Sequence, residues 1–140
     1  MNRFVVEAPV AVKWFVPEPM YENAVRLFEG PNELLVTDVF FSEFAEILRR
    51  KVGLGEITGE EVLKIYSALS TVPLTVNPAE PLMEAALEIA TSMGRPIQVG
   101  LNLSLAVQQD CRLITVRRDL YDELQATPFS RYLKWIEHAK

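Results

Sequence analysis

Short apolar runs alternate with amphipathic stretches along the 140-residue chain. The runs are typical of buried strands, and the longer stretches repeat apolar residues at helical spacing. Predicted strands cover residues 4–6, 34–36, 73–76, 112–116 and 132–136. Predicted helices cover residues 10–15, 20–29, 39–52, 58–69, 77–93 and 120–125. Because strands alternate with helices, we expect an α/β fold with a parallel sheet covered on both faces, formed by one domain of residues 1–140.

The first apolar run, residues 3–15, reads RFVVEAPVAVKWF. Its three apolar residues lead directly into Glu7, and Pro9 then suits the first turn of a helix, where a missing N–H costs nothing. Glu7 is therefore predicted at the carboxyl end of a central strand, where open α/β sheets place their ligand groups.

A second carboxylate lies beside an apolar helix face. In the predicted helix 39–52, which Thr37 or Asp38 is expected to cap, Glu43 lies three residues after Phe40 and four before Ile47. A carboxylate at the edge of a buried face needs a partner, a metal ion or a raised pKa. The last turn of this predicted helix carries a basic triplet, Arg49-Arg50-Lys51. These cations fit a solvated helix end, where positive charge complements the helix dipole.

Composition narrows the function classes. The formal net charge is −5, so we expect any nucleic-acid contact to be confined to local basic clusters or bridged by a metal ion. Cys111 is the single cysteine, which suits a reducing cytoplasm and excludes an intrachain disulfide. No apolar stretch approaches the ~18 residues of a membrane span, and we expect no membrane association.

The single histidine, His138, lies near the end of the chain, which disfavours triad chemistry with a histidine base. A carboxylate cluster that holds Mg²⁺ or Mn²⁺ is the remaining catalytic class, because these ions favour oxygen ligands. The aromatic residues Trp14, Phe15 and Trp135 could form stacking platforms for bases, although their spacing favours core packing.

Three segments resemble the PIN domain family, and VapC-type toxins most: VVEAPVAVKWF, VTDVFFSEFAEILRRKV and RPIQVGLNLSLAVQQDCRLITVRRDLYDEL. The resemblance implies a three-layer α/β/α sandwich with a central parallel sheet, often a homodimer, and a metal-dependent endoribonuclease with an antitoxin-like partner. It also favours a helix over residues 98–109, where the alternation of apolar and polar residues alone predicts a strand.

The family places four acids around one or two metal ions, and this chain matches them in part. Glu7 replaces the usual Asp at the first position, and Glu43 retains the second. Val99 stands where the third acid is expected, and Arg117 where the fourth is expected, with Asp119 in the place of an auxiliary acid of some relatives. Arg117 could form an ion pair with Glu7 or Glu43 in place of the metal.

Three functional hypotheses follow. The first, which the replacements favour, is a degenerate PIN domain that binds a partner without cleaving RNA, with Arg117, Arg118 and Arg49 as contacts for phosphate or carboxylate. The second is a residual Mg²⁺- or Mn²⁺-dependent endoribonuclease with Glu7, Glu43 and Asp119 as metal ligands and catalytic residues. The third is a structural subunit without a ligand.

Overall fold

Five parallel strands form the centre of the protein in a computed structural model, which describes residues 2–139. The strands are β1 (Arg3–Val6), β2 (Glu33–Thr37), β3 (Leu74–Asn77), β4 (Arg112–Thr115) and β5 (Leu133–Trp135). Their order in the sheet is β3-β2-β1-β4-β5, so β1 is central. Val5 lies opposite Leu35 of β2 and Leu113 of β4.

Seven α-helices connect the strands. They are α1 (Ala8–Val12), α2 (Tyr21–Glu29), α3 (Phe40–Gly53), α4 (Gly59–Leu69), α5 (Met83–Met93), α6 (Ile97–Gln108) and α7 (Arg118–Gln125). The predicted helix at residues 98–109 is therefore confirmed, with both of its ends one residue earlier than predicted. The predicted α/β/α sandwich with a central parallel sheet is confirmed as well.

Successive residues of the central strands face different cores. Val6 packs with Phe40, Phe44 and Leu48 on the face that α1 and α3 cover. Val5 packs with the apolar side chains of α5, α6 and α7 on the other face. Burial on both faces explains why the strands read as continuous apolar runs rather than as alternating ones.

Several local predictions need correction at element boundaries. The helix predicted to start near Asn77 begins as a short 3₁₀ turn at residues 80–82, and α5 follows it. Neither Thr37 nor Asp38 caps α3, whose first turn follows Val39 without a side-chain cap. Asp38 Oδ1 instead accepts a hydrogen bond from the Ala79 N–H and joins the ends of β2 and β3. Helix α4 starts as predicted near Thr58, which caps it in a capping box with Glu61.

The aromatic residues considered as stacking platforms lie in or against the core. Trp14 and Trp135 are buried, and Phe15 packs against the same cluster. The Trp14 indole N–H donates to the Ala24 carbonyl, which fixes helix α2 beside α1. Core packing is therefore their role in the described structure.

Candidate functional site

Glu7 follows the central strand directly, as predicted, and is 2% exposed. Its Oε1 accepts hydrogen bonds from the Thr115 hydroxyl at 3.1 Å and from the Val116 backbone N–H at 3.0 Å. Both donors lie at the end of β4, the strand next to β1. The parallel register thus anchors the first acid of the site to the neighbouring strand.

Glu43 reaches the same edge of the sheet from the first turn of α3. Its side chain is 15% exposed, and the Ala8 backbone N–H, at the start of α1, is hydrogen-bonded to its carboxylate. Helices α1 and α3 pack against each other, which explains how residues 36 positions apart meet. The two acids predicted from the sequence are therefore neighbours in space.

Arg117 lies between the two carboxylates. Its Nε is 3.7 Å from Glu7 Oε2, and one terminal nitrogen is 3.8 Å from Glu43 Oε2. The Arg117 backbone N–H donates to the Thr115 hydroxyl at 3.0 Å, so this hydroxyl links Arg117 and Glu7. The ion pairing predicted for Arg117 therefore involves both acids.

Burial raises the pKa of both carboxyl groups. For Glu7, loss of hydration is the largest cause, and Arg117, the Val116 N–H and the Thr115 hydroxyl each oppose it. For Glu43, burial again raises the pKa more than Arg117 and the Ala8 N–H lower it. Each group is thus stabilised as a carboxylate by Arg117, but only in part.

Val99 and Asp119 lie apart from this pair of acids. Val99 is 2% exposed and belongs to the apolar core on the α5–α6 face. The Asp119 side chain is 74% exposed, and its Oδ2 accepts a hydrogen bond from Arg95 at 2.8 Å. Arg95 holds the pKa of Asp119 below its ordinary value. Asp119 is thus committed to an ion pair at the start of α7.

Sequence reasoning missed the polar side chains that surround Glu43. A small crevice beside Glu43 is lined by Thr37, Gln98 and Asn102, of which Thr37 and Asn102 are buried. Gln98 and Asn102 are four residues apart and therefore share one face of α6. The helix predicted over residues 98–109 already places them on one face, but the sequence does not indicate that this face lies toward Glu43.

The donor set does not fit a divalent cation. Within residues 2–139, no three acidic, histidine or cysteine side chains form a group that could hold a metal ion. At the four family positions, only Glu7 and Glu43 are acids, and the guanidinium of Arg117 places a positive charge between them. Mg²⁺ prefers several oxygen ligands in an octahedral array, and a fixed cation at this position repels it.

A groove of about 360 Å³ leads away from the acid pair. Its walls include Arg117, Lys13, Arg50 and Lys51. Glu18 pairs with both lysines, whereas Arg50 is exposed. The groove is therefore a mixed charged surface.

The other basic residues predicted as contacts have local partners. Arg118 pairs with Asp122 at 3.2 Å and lies over the rings of Tyr121 and Trp135. Arg49 makes two hydrogen bonds with Glu46, one turn earlier on α3. Their predicted contacts with phosphate or carboxylate would have to compete with these ion pairs.

A second groove, of about 370 Å³, separates α3 from α4 and is apolar. Leu48 and Val52 line its α3 wall, and Val62, Leu63 and Tyr66 line its α4 wall. Leu63 is 71% exposed and Tyr66 is 42% exposed, so large apolar side chains face solvent there.

Of the helices described in residues 2–139, none is long and apolar enough to cross a membrane.

A parallel sheet between two helical layers, with two acids at the carboxyl edge of its central strand, defines an α/β/α domain. In open sheets of this kind, ligands generally bind at that edge. The sequence model that describes the PIN domain family matches residues 4–122 of this chain. The chain belongs to the PIN domain family. No curated protein sequence matches the chain.

Solved structures share the fold at low sequence identity. PAE2754 from Pyrobaculum aerophilum superposes with a TM-score of 0.65 at 17% identity, covering 97% of this chain and 92% of its own. VapC20 from Mycobacterium tuberculosis, a sarcin-ricin loop cleaving toxin, gives 0.63 at 12% identity, covering 78% and 85%. VapBC2 from Rickettsia felis, bound to a DNA fragment from its promoter, gives 0.62 at 13% identity, covering 95% and 98%.

Proposed function

We propose that this protein is a non-catalytic PIN domain that acts by binding a protein partner. The observation that carries the proposal is the position of the Arg117 guanidinium between the carboxylates of Glu7 and Glu43. In this arrangement an internal cation balances part of the charge of the two remaining acids and lies where a metal ion would otherwise hold them together. A bound metal ion would lower the pKa of an attacking water at such a site, so we expect a PIN domain without one not to cleave RNA.

The partner is proposed to be an antitoxin-like protein. The Rickettsia felis neighbour is a VapBC assembly, and a toxin-antitoxin complex from Klebsiella pneumoniae has the same fold with a TM-score of 0.63. On this chain, the apolar groove between α3 and α4 offers exposed Leu63 and Tyr66 to a partner. An amphipathic helix is the occupant that such a groove suits.

Two further expectations belong to this proposal. A homodimer is implied by the family resemblance, and light scattering after size-exclusion chromatography tests it. Action in the cytoplasm is consistent with the single cysteine, because a chain without disulfides suits a reducing compartment.

Removal of the internal cation tests the loss of catalysis. We expect the wild-type protein to bind no Mn²⁺ at micromolar concentration in calorimetry, and Arg117→Asp to acquire binding. Arg118→Asp makes the same charge change one residue later and is the matched control. Micromolar Mn²⁺ binding by the wild-type protein would overturn the proposal.

Cleavage assays extend the test. The double substitution Val99→Asp/Arg117→Asp restores acids at all four family positions, and we expect Mn²⁺-dependent RNA cleavage from it but not from the wild type. Because Val99 is buried among apolar side chains, circular dichroism must first show that the double variant folds. Metal binding by Arg117→Asp alone keeps the proposal testable if it does not.

A residual Mg²⁺- or Mn²⁺-dependent endoribonuclease is the second candidate. The convergence of Glu7 and Glu43 at one edge of the sheet favours it, since two of the family's acids keep their positions. It requires the metal ion to displace Arg117 and RNA to bind nearby. Cleavage by the wild-type protein that Glu43→Gln abolishes would establish this candidate and exclude the first.

The partner is tested by co-purification with the product of any short reading frame directly upstream of the coding sequence. Leu63→Asp places a charge in the apolar groove, and we expect it to abolish co-purification. Leu87→Asp is the matched control, because Leu87 is 54% exposed on a different helix, α5. Equal loss in both variants would contradict the assignment of the groove.

A further inference from the structure

The amino-terminal edge of the sheet carries a second polar cavity, on the side opposite to the acid pair. Because all five strands are parallel, they begin at this edge and end at the other. The cavity has a volume of about 480 Å³, and three cations line it: Arg3, Arg112 and Lys134. Asp110 is the single acid in its wall.

The strand register brings two of these cations together. Lys134 of β5 lies opposite Ile114 of β4. Arg112 precedes Ile114 by two residues, so the side chains of Arg112 and Lys134 point from the same face of the sheet. Their positions are fixed by strands rather than by loops.

Two charged residues in the wall already have partners. Arg3 donates to Glu33, to the Gln109 carbonyl and to the Gln109 side chain. Asp110 lies 3.8 Å from Arg131. These contacts hold the Arg3 side chain in the wall. Arg131 offsets part of the negative charge of Asp110.

Arg112 and Lys134 have no such partner. Among the carboxylates that residues 2–139 contain, none lies within 4 Å of either. By the same criterion, Arg26 and Arg50 are the other described cations without a carboxylate partner. Two of these four thus share one cavity in a chain of net charge −5, where acidic partners are abundant.

We propose that this cavity binds the phosphate group of a small molecule. Arginine offers planar pairs of N–H donors to phosphate oxygens, and lysine adds a compact positive charge. A phosphate monoester carries a charge of about −1.5 to −2 at pH 7, which matches two unpaired cations better than a single carboxylate does. The volume lies within the range of small-molecule sites, about 300–1,000 Å³.

Calorimetric titration with inorganic phosphate, in chloride buffer, tests the site. We expect saturable binding by the wild-type protein and weakening of roughly tenfold for Arg112→Gln and for Lys134→Gln, since each removes one charged hydrogen-bond partner. Arg26→Gln is the matched control, because it removes one exposed, unpaired cation from α2 with the same change in net charge. We expect it to leave phosphate affinity unchanged.

The ligand source is resolved by a parallel titration with adenosine monophosphate. Tighter binding of the nucleotide than of phosphate assigns the cavity to nucleotides, and equal affinity assigns it to free phosphate. Backbone amide chemical shifts of Arg112 and Lys134 should move in either case. No saturable binding, binding of RNA but of neither small anion, or equal weakening by Arg26→Gln would each overturn the proposal.

Discussion

The Nε of Arg117 lies 3.7 Å from Oε2 of Glu7, a carboxylate that is almost fully buried. The distance exceeds that of a direct hydrogen bond, so the attraction is mainly between charges. The Arg117 side chain is 29% exposed, and solvent therefore screens part of this attraction. The pair still matters for stability, because a buried carboxylate without any counter-charge is costly.

Arg117→Ala should lower the free energy of unfolding by about 1–2 kcal/mol at pH 7.5, because it leaves Glu7 and Glu43 without their shared counter-charge. The loss should become smaller as pH falls, because protonation relieves the repulsion between the Glu7 and Glu43 carboxylates. Urea unfolding at pH 7.5 and at a series of lower pH values measures both effects. Arg118→Ala is the control, since Arg118 lies next in sequence but pairs with Asp122. A loss that does not depend on pH would contradict the explanation.

Thr115 connects the two charged groups through one hydroxyl. It donates to Glu7 and accepts from the Arg117 N–H, and it is fully buried. Thr115→Val keeps the shape but removes both bonds, and should cost about 1–2 kcal/mol in unfolding free energy. It should also raise the pKa of Glu7 further, because this hydroxyl favours the charged form. Thr115→Ser, which keeps the hydroxyl, should retain most of the stability; equal losses in both variants would show that packing is responsible.

Gly100 sets the distance between α5 and α6. A Cβ at this position would lie 2.2 Å from the carbonyl oxygen of Ala86, so Gly100→Ala must separate the helices. We expect a loss of about 1–3 kcal/mol by thermal or urea unfolding. Gly53→Ala, in α3, has nothing within 4 Å of the added atom and should gain roughly 0.5–1 kcal/mol. Similar changes in the two variants would argue against close helix packing at Gly100.

The sequence predicts the elements of this fold well, because strands buried on both faces leave short apolar runs. Residues 4–6 and 34–36 are two such runs. The resemblance to the PIN family then indicates how the predicted strands and helices are arranged. The boundaries are less predictable where tertiary contacts compete with local signals. Asp38 has the chemistry of a helix cap, yet the end of β3 brings the Ala79 N–H within its reach, and no local pattern contains that contact.

The candidate site follows from the sequence only in part. Glu7 is placed by the end of the first predicted strand, and Glu43 by the start of the predicted helix 39–52. Their pairing with Arg117 was expected because Arg117 stands at the position of the family's fourth acid. The hydroxyl of Thr115 and the face formed by Gln98 and Asn102 were missed, since both depend on which side of an element faces the site. The ion pair between Asp119 and Arg95 joins residues 24 positions apart, and sequence spacing gives no indication of it.

The raised pKa values of Glu7 and Glu43 predict how stability depends on pH. Burial is the main cause for both groups, so the folded state binds protons more tightly than the unfolded state. The stabilisation from proton binding is fully present below the ordinary glutamate pKa and is lost as pH rises through the higher folded-state pKa. We therefore expect these two groups to make the protein less stable as pH increases above the ordinary glutamate pKa of about 4.3.

Glu7→Gln isolates the contribution of the more buried group. Glutamine keeps an oxygen that can accept from Thr115 and Val116 but cannot ionise, so the decline of unfolding free energy with pH should become shallower. Urea unfolding at several pH values between about 4 and 8 measures the slope. Glu84→Gln makes the same chemical change at an exposed position of α5 and is the matched control. If Glu7→Gln leaves the slope as steep as in the wild type, then the Glu7 carboxylate is already ionised throughout this range, and Arg117 compensates for its burial more fully than the geometry indicates.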